Sequence, residues 1–240
     1  MTTDDPFVHH PELRGRIRPA AESFFRDLDL AQIDAHAAQA GRPADWRTPD
    51  EQREAGRRAW FAGRAPGDLW VFGYGSLMWD PAMEFVEVRR AHAPGYARSF
   101  CLWDEGGRGT VDRPGLMLAM VEGGGCDGMA FRVAAAAVEH ESFVLFRREM
   151  IAPAYRPVWM TLHTDHGVIE ALGFAANHAY DSIVQGLALD EQARMIARAE
   201  GVLGTNLAYL EDTHAHLQVL GIDDPHVTAL HARVKALRTD

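Results

Sequence analysis

The stretch Asp68-Leu-Trp-Val-Phe-Gly-Tyr-Gly-Ser-Leu77 is the centre around which the rest of this sequence is arranged. Its apolar run over residues 69–72 predicts a buried strand, and the run breaks into Gly73-Tyr-Gly-Ser76. Glycine permits backbone angles and close contacts that other residues forbid, so a loop of this kind can offer several main-chain N–H groups to a ligand. A plain turn needs one glycine, whereas this loop has two. The pattern favours a binding site but is also consistent with a Gly-rich turn.

Short apolar runs continue after this stretch at the spacing of strands. Further strands are predicted over 85–93, 96–103, 116–121, 129–133, 155–163 and 168–175, an internal helix over 134–148, and final helices over 190–200, 205–220 and 224–238. Two hairpins are expected, one through the turn at 122–128 and one through the turn at 164–167. Strands followed by helices, without βαβ alternation, predict an α+β fold with a curled, mostly antiparallel sheet or small barrel.

The first 67 residues differ in composition, being rich in Ala, Arg and Asp. A helical stretch is predicted over 19–41. A capping box at Thr48-Pro-Asp-Glu51, with proline at the first helical position, predicts a second helix that ends near Ala62. We therefore expect residues 1–67 to form a helical extension that packs on a main domain over residues 68–240.

Composition restricts the class of partner. The chain has 240 residues, a net charge of −10 and a pI of about 5.6, which argues against nucleic acid or an anionic membrane as the main partner. No apolar run is long enough to span a bilayer, and the N-terminal residues lack the pattern of a signal peptide. Two cysteines without a CxxC motif fit a reducing compartment. We expect a cytoplasmic protein with a small-molecule ligand, no nucleic-acid partner and no membrane partner; the oligomeric state stays open.

The Gly-rich loop does not match the familiar nucleotide or nucleophile motifs. Met78 stands where the dinucleotide fingerprint requires its third glycine, no helix pattern follows directly, and there is no Walker lysine. A nucleophile elbow needs glycine two residues on each side of the serine, but Tyr74 and Met78 flank Ser76 there. Ser76 is therefore expected to bind ligand through its hydroxyl or N–H group, or to cap the turn.

The histidines and cysteines do not predict a metal or thiol site. Among twelve histidines, the pairs His163-Thr-Asp-His166 and His214-Ala-His216 lack zinc-site spacing, so solvated or capping roles are expected and no cofactor or metal is predicted. Neither Cys101 nor Cys126 has a base partner visible in the sequence, and each is expected to be a small buried hydrophobic residue.

Glu149 ends the internal helix pattern, and its neighbours are apolar. A carboxylate at a helix C-terminus lies on the disfavoured side of the helix dipole, and apolar surroundings disfavour its charged form. Both effects raise the pKa of a carboxyl towards the range of a general base. The alternative is a structural ion pair with Arg147 or Arg148, and the residues by themselves leave both interpretations open.

Taken together, these pieces resemble the gamma-glutamylcyclotransferase superfamily and, more narrowly, the ChaC family of glutathione-specific gamma-glutamylcyclotransferases. The resemblance rests on the Val71–Leu77 loop and on Arg148-Glu149 some seventy residues later. Other segments match in the same order: Gly95-Tyr-Ala-Arg-Ser-Phe100, Arg108-Gly-Thr110, Arg113-Pro-Gly115, Gly128-Met-Ala-Phe-Arg-Val133 and Gly204-Thr-Asn-Leu-Ala-Tyr-Leu210. Met150-Ile-Ala-Pro-Ala-Tyr155 is similar to the bacterial branch rather than to the eukaryotic pattern.

The resemblance implies a small barrel with surrounding helices and a specific reaction. The α-amine of a γ-glutamyl group attacks its own γ-carbonyl, forming 5-oxoproline and releasing Cys-Gly when the substrate is glutathione. It implies that Glu149 is the catalytic acid/base, and that no cofactor takes part. The implied substrate-binding residues are Val71, Phe72, Gly73, Tyr74, Gly75, Ser76, Leu77, Tyr155 and Tyr209. For Tyr209, a structural place on the inner face of its helix is an equal alternative.

Two other functions remain open from the sequence. A related cyclotransferase could act on other γ-glutamyl amines or amino acids, and a non-catalytic protein could keep the pocket as a γ-glutamyl ligand sensor. The presence of Glu149 speaks against the second, because binding alone does not need a carboxylate there.

Overall fold

The structure is a computed structural model that describes residues 5–39 and 41–239. The predicted extension includes residues 1–4 and 40, and the predicted main domain includes residue 240, all of which lie outside the described residues. Within the described range the chain forms a mixed α+β fold around a closed barrel of five strands.

The strands are β1 (Leu69–Gly73), β2 (Glu87–Ala93), β3 (Tyr96–Asp104), β4 (Gly115–Glu122), β5 (Cys126–Val133), β6 (Tyr155–Thr164), β7 (Gly167–Ala176), and the short pair β8 (Glu200–Gly201) and β9 (Gly204–Thr205). Neighbours in the large sheet follow the order β1-β5-β2-β6-β7-β4-β3, and an additional β1–β7 pairing closes the barrel. The neighbouring strands are antiparallel except at β1–β7 and β4–β7, which are parallel. The predicted small, mostly antiparallel barrel is confirmed.

One predicted hairpin forms and the other does not. Strands β6 and β7 pair directly from Tyr155↔Ala176 to Thr164↔Gly167, as the turn between them predicts. Strands β4 and β5 are not partners, although only three residues separate them in the chain. Both edges of β5 are occupied, by β1 and by β2, so β4 pairs with β3 and with β7 instead. The expectation of a β4–β5 hairpin is therefore wrong.

The helices are α1 (Leu30–Gln39), α2 (Asp50–Phe61), α3 (Val138–Glu149), α4 (Leu189–Arg198), α5 (Asn206–Val219) and α6 (Pro225–Thr239). The internal helix and the three final helices lie where the sequence predicts them. The apolar core on the two faces of the sheet is filled by large side chains that are almost fully buried, including Phe72, Phe100, Phe131 and Phe174. Because these side chains pack against one another, the core fixes where β1 and α3 end, at Gly73 and Glu149.

The N-terminal region is less helical than its sequence suggests. The Asp29 side chain accepts hydrogen bonds from the N–H groups of Ala31 and Gln32 at 3.0 and 3.1 Å, so α1 begins only at Leu30 and the segment before it is mostly irregular. Helix α2 forms as predicted, but without the capping box: its N-cap is Pro49, which makes no side-chain cap hydrogen bond.

Buried side chains of the N-terminal region join the barrel core. Leu13 and Ile17 are 1% and 6% exposed and belong to the same apolar cluster as β1 and β5. Arg57 of α2 is also buried, and its guanidinium binds Glu139 and the Ser142 hydroxyl of α3. These contacts attach α2 to the helix that ends at Glu149.

Candidate functional site

The loop that follows β1 turns back closely on its own strand. A Cβ atom at Gly73 would lie 3.0 Å from Leu77 Cβ and 3.2 Å from the Leu77 carbonyl carbon, so only glycine fits there without displacing the backbone. At Gly75 a Cβ atom would point towards the Tyr209 hydroxyl, 3.5 Å away, and would lie 3.4 Å from Leu118 Cδ1. The two glycines therefore differ: Gly73 permits the turn, and Gly75 keeps the space in front of Tyr209 open.

The main-chain N–H groups of this loop are available to a ligand. After Gly75 the chain enters a short 3-10 helix over Ser76–Met78, whose N–H at Met78 donates to the Gly75 carbonyl at 2.8 Å. Within the part of the chain that the structure describes, the N–H groups of Gly75, Ser76 and Leu77 donate to no protein acceptor. Adjacent unpaired N–H groups of this kind form an anion-binding concavity.

A buried arginine fixes the base of the loop. Arg98 of β3 donates to the carbonyl of Tyr74, to the carbonyl of Asp127 and to a carboxylate oxygen of Asp224, each at 2.6 Å. Its side chain is 2% exposed, so the three hydrogen bonds are shielded from water. Arg98 thereby holds the glycine loop against β5 and the start of α6.

Glu149 is the last residue of α3 and lies almost out of solvent. Its side chain is 13% exposed. Burial raises the pKa of the carboxyl, and the positive charge of Arg148 opposes that rise. The Arg148 Nε lies 2.9 Å from Glu149 Oε1. The two interpretations left open by the sequence thus hold together: the carboxyl is buried with a raised pKa, and it is ion-paired.

Arg148 connects Glu149 to the glycine loop. Its Nη2 donates to the Ser76 hydroxyl at 2.8 Å, and its Nη1 donates to the Asp80 carbonyl. The helix end and the loop after β1 are far apart in sequence, but this guanidinium joins them in space. The result is a carboxylate next to a concavity lined with N–H groups.

Three tyrosines surround the carboxylate. Burial raises the pKa of the Tyr74, Tyr155 and Tyr209 hydroxyls, and the nearby charge of Glu149 adds to the rise in each case. The Tyr155 hydroxyl donates to the Leu118 carbonyl at 2.8 Å. All three rings therefore remain neutral hydrogen-bonding groups at physiological pH.

Asn206 fixes the helix that carries Tyr209. Its amide side chain is fully buried, accepts from the Leu116 N–H at 2.7 Å and donates to the Leu116 carbonyl at 2.8 Å. The Thr205 hydroxyl caps the same helix by accepting from the Ala208 N–H at 3.1 Å. Helix α5 is thus fixed to the start of β4, and its first turn presents Tyr209 to the site.

The structure brings most of the predicted site residues together. Glu149, the loop over Gly73–Leu77, Tyr155 and Tyr209 converge on one region. Val71 and Phe72 have no exposed surface and pack in the barrel core, so any contribution of their side chains to binding is indirect. Both free cysteines are buried as predicted, and burial raises the pKa of each thiol.

Several residues at the site were not singled out from the sequence. They are Arg148 as a bridge, the Leu118 carbonyl, Asp80, and Phe25 of the N-terminal region, whose ring lies 4.2 Å from the Arg148 guanidinium carbon. Each acts through a contact between distant parts of the chain. An arginine directly before a buried glutamate was the one signal that the sequence offered.

Other features of the molecule lie apart from this site. A cavity of about 1110 Å³ is bordered by residues 14–22, Trp79 and His216, and one of about 560 Å³ lies beside Cys101 and His178. Neither is lined by the glycine loop or by Glu149. Among the described residues, no group of three or more His, Cys, Asp or Glu side chains is arranged to hold a metal ion. No helix in the same range combines the length and apolar character needed to cross a bilayer.

Comparison with known proteins places these features in a family. Residues 69–237 match the family described as ChaC-like protein. The chain is 40% identical over 189 residues to the glutathione-specific gamma-glutamylcyclotransferase of Escherichia coli, covering 78% of this chain and 82% of that protein. It is 30% identical to glutathione-specific gamma-glutamylcyclotransferase 1 of Danio rerio, covering 70% of this chain and 89% of that protein.

A solved structure shares the fold. The crystal structure of the gamma-glutamyl cyclotransferase specific to glutathione from yeast superposes with a TM-score of 0.63, at 19% sequence identity, over 71% of this chain and 96% of that one. The match to the E. coli relative covers a larger share of this chain than the 69–237 span of the family match, so it also extends beyond that span.

Proposed function

Because the chain belongs to the ChaC-like protein family, we propose that it is a glutathione-specific gamma-glutamylcyclotransferase. It converts glutathione to 5-oxoproline and Cys-Gly. The observation that carries the proposal is the buried carboxylate of Glu149, which Arg148 links to Ser76 at the N–H-lined loop. The names of the bacterial and animal relatives support the substrate.

The loop over Gly73–Leu77 binds the γ-glutamyl group. The unpaired N–H groups of Gly75, Ser76 and Leu77 suit either the α-carboxylate of the substrate or the oxyanion that develops at its γ-carbonyl. Tyr155 and Tyr209 form walls of the pocket. The main task of this cradle is to fold the glutamyl chain so that its amine meets its own carbonyl, which is catalysis by proximity.

Glu149 moves the proton. A free α-ammonium group has a pKa of about 8, so the substrate must lose a proton before its nitrogen can attack. The ammonium first releases one proton to solvent. As the neutral amine nitrogen bonds to the γ-carbonyl carbon, Glu149 accepts a second proton from it, and the bond from that carbon to the cysteine nitrogen breaks. Glu149 gives this proton to the leaving nitrogen, so that the products are the neutral lactam and the free amine of Cys-Gly. Burial raises the pKa of the Glu149 carboxyl and so brings it closer to the pKa of the substrate amine. A smaller difference between the two pKa values favours proton transfer in both directions.

A product assay tests the proposal. The purified protein is incubated with glutathione, with γ-glutamyl amines and with free γ-glutamyl amino acids, and 5-oxoproline and the released amine are quantified. Glutathione is expected to be the preferred substrate, and Glu149→Gln is expected to lower turnover by about 10²–10⁴-fold, while Glu170→Gln, at an exposed strand position, retains it. A preference for another γ-glutamyl compound would indicate a related cyclotransferase. Calorimetric binding of glutathione without product would indicate a ligand sensor.

The remaining assignments are also proposals. Residues 1–67 form an extension of a catalytic domain over residues 68–240, which the span of the family match supports. A cytoplasmic location is supported by the two buried free thiols. The net charge of −10 supports a small-molecule substrate as the main partner rather than nucleic acid or an anionic membrane surface.

A further inference from the structure

We propose that the segment before α1, residues 18–26, is part of the working active site, because Phe25 and Arg18 hold Arg148 in the position that orients Glu149. This segment lies outside the 69–237 span of the family match. The inference rests on the proposed cyclotransferase function and assigns positioning roles to Phe25, Arg18 and Arg148. None of these three is required to touch the substrate.

Arg148 makes a polar contact through each of its three guanidinium nitrogens. Its side chain is 4% exposed. Its Nε lies against the Glu149 carboxylate, its Nη2 donates to the Ser76 hydroxyl, and its Nη1 donates to the Asp80 carbonyl. A guanidinium in this planar arrangement can serve Glu149 and Ser76 at once only if its plane keeps one orientation.

Phe25 supplies the surface that keeps this plane in place. Its ring lies over the guanidinium with 4.2 Å to the Arg148 Cζ, a cation–π contact that is strengthened by burial. Among the described residues no second ring lies over this guanidinium, so loss of the Phe25 ring removes the aromatic surface that resists tilting of Arg148 away from Glu149. The contact crosses from the N-terminal region to the end of α3.

The 18–26 segment is itself anchored on both sides of this contact. Arg26 binds both oxygens of the buried Glu141 at 2.9 and 3.0 Å and donates to the Ala82 carbonyl at 3.0 Å. Arg18 pairs with the Asp80 carboxylate at 2.8 Å and donates from its N–H to the Trp79 carbonyl at 2.8 Å. The segment therefore reaches both helix α3 and the loop after β1, which are the two parts that Arg148 joins.

Arg148 also sets the charge environment of Glu149. The groups that face this carboxyl are Arg148 from α3 and three neutral hydroxyls, Tyr74 from the loop, Tyr155 from β6 and Tyr209 from α5. Burial raises the carboxyl pKa, and Arg148 is the group that lowers it. A loosened Arg148 therefore raises the pKa of Glu149 further.

Loss of the Phe25 contact is expected to reduce activity most at low pH. Glu149 must be ionised to accept the substrate proton, so activity falls as pH drops through its pKa. If the pKa rises, the acidic limb of kcat/KM moves to higher pH, and the loss of activity is larger at low pH than at high pH. A purely structural defect would lower the rate by the same factor at every pH, because it changes only the amount of active enzyme.

The test compares two phenylalanines whose rings each lie over an arginine of α3. Phe25→Leu removes the ring over Arg148, whereas Phe143→Leu removes a 38% exposed ring that lies 5.3 Å from the Arg147 guanidinium carbon and serves as the matched control. For Phe25→Leu we expect a roughly three- to tenfold loss of kcat/KM on glutathione near the acidic limb, a smaller loss at high pH, and a limb displaced upward by about 0.5 to 1 pH unit. Phe143→Leu is expected to retain the wild-type profile.

Two further measurements keep the inference separate from the proposed function. Arg148→Lys keeps the charge and should displace the limb less than Arg148→Met. The carboxyl pKa of Glu149, followed by ¹³C NMR in wild type and Phe25→Leu, needs no turnover. If wild-type protein forms no 5-oxoproline, the proposed function fails, while the NMR titration still tests the positioning. Identical Glu149 pKa values in wild type and Phe25→Leu, or an even loss of rate at all pH values, would overturn the inference.

Discussion

The two glycines of the loop should respond in opposite ways to the same substitution. At Gly75 an added Cβ meets Leu118 and the Tyr209 hydroxyl at 3.4 and 3.5 Å, which is ordinary contact, so Gly75→Ala should change the free energy of unfolding by less than about 1 kcal/mol. The methyl group would nevertheless occupy the space where the γ-glutamyl group is proposed to bind. We expect kcat/KM on glutathione to fall on the order of 100-fold, equivalent to about 2.7 kcal/mol of transition-state stabilisation.

Gly73→Ala should show the reverse. Its Cβ would lie 3.0 Å from Leu77 Cβ and 3.2 Å from a Leu77 backbone carbon, and neither atom is the end of a flexible side chain. The expected cost is about 1–3 kcal/mol of unfolding free energy, with activity per folded molecule reduced less than in Gly75→Ala. Urea unfolding and 5-oxoproline formation measure the two quantities on the same samples. A folded Gly75→Ala protein with wild-type kcat/KM would refute the idea that this loop forms the substrate cradle.

The other predictions concern buried or paired groups that stabilise the fold. Asn206→Ala removes both hydrogen bonds to Leu116 and leaves two buried backbone groups unpaired, so it should lower the unfolding free energy by about 2–4 kcal/mol in urea titrations, with Asn206→Asp intermediate. Arg57 hydrogen-bonds Glu54 and lowers its carboxyl pKa to about 2. This pair stabilises the fold above the unfolded pKa and is lost as pH falls through about 2, so Glu54→Gln should destabilise the protein at pH 7 but not near pH 2, as thermal unfolding at each pH would show. Burial raises the pKa of the Cys126 thiol to about 11, so a thiol reagent should label it at neutral pH only after unfolding.

Local sequence patterns predicted the elements that depend on neighbouring residues. The β6–β7 hairpin follows from the turn at 164–167, and α3 follows from its apolar periodicity; both are found where expected. The β4–β5 hairpin was wrong because strand pairing in a closed barrel is non-local: β5 pairs with β1 and β2, which precede it in the chain. No local signal reports that both edges of a strand are already occupied.

The candidate site divides in the same way. Glu149 and the glycine loop carry signals in their own residues, namely a carboxylate at the end of an apolar helix and two glycines after a buried strand. The bridge that joins them does not, because Arg148 and Ser76 are 72 positions apart and their contact depends on how the barrel closes. The Phe25 contact with Arg148 is equally invisible, since it depends on where the N-terminal region packs.

The most direct test of the account is the rate of 5-oxoproline formation from glutathione by wild-type protein and by Glu149→Gln, with Cys-Gly measured in parallel. We predict equal amounts of 5-oxoproline and Cys-Gly from wild type. For Glu149→Gln we predict a fall in kcat of about 10²–10⁴-fold in a protein that remains folded and still binds glutathione. Undiminished turnover by Glu149→Gln, or glutathione binding by wild type without either product, would contradict the assignment of proton transfer to Glu149.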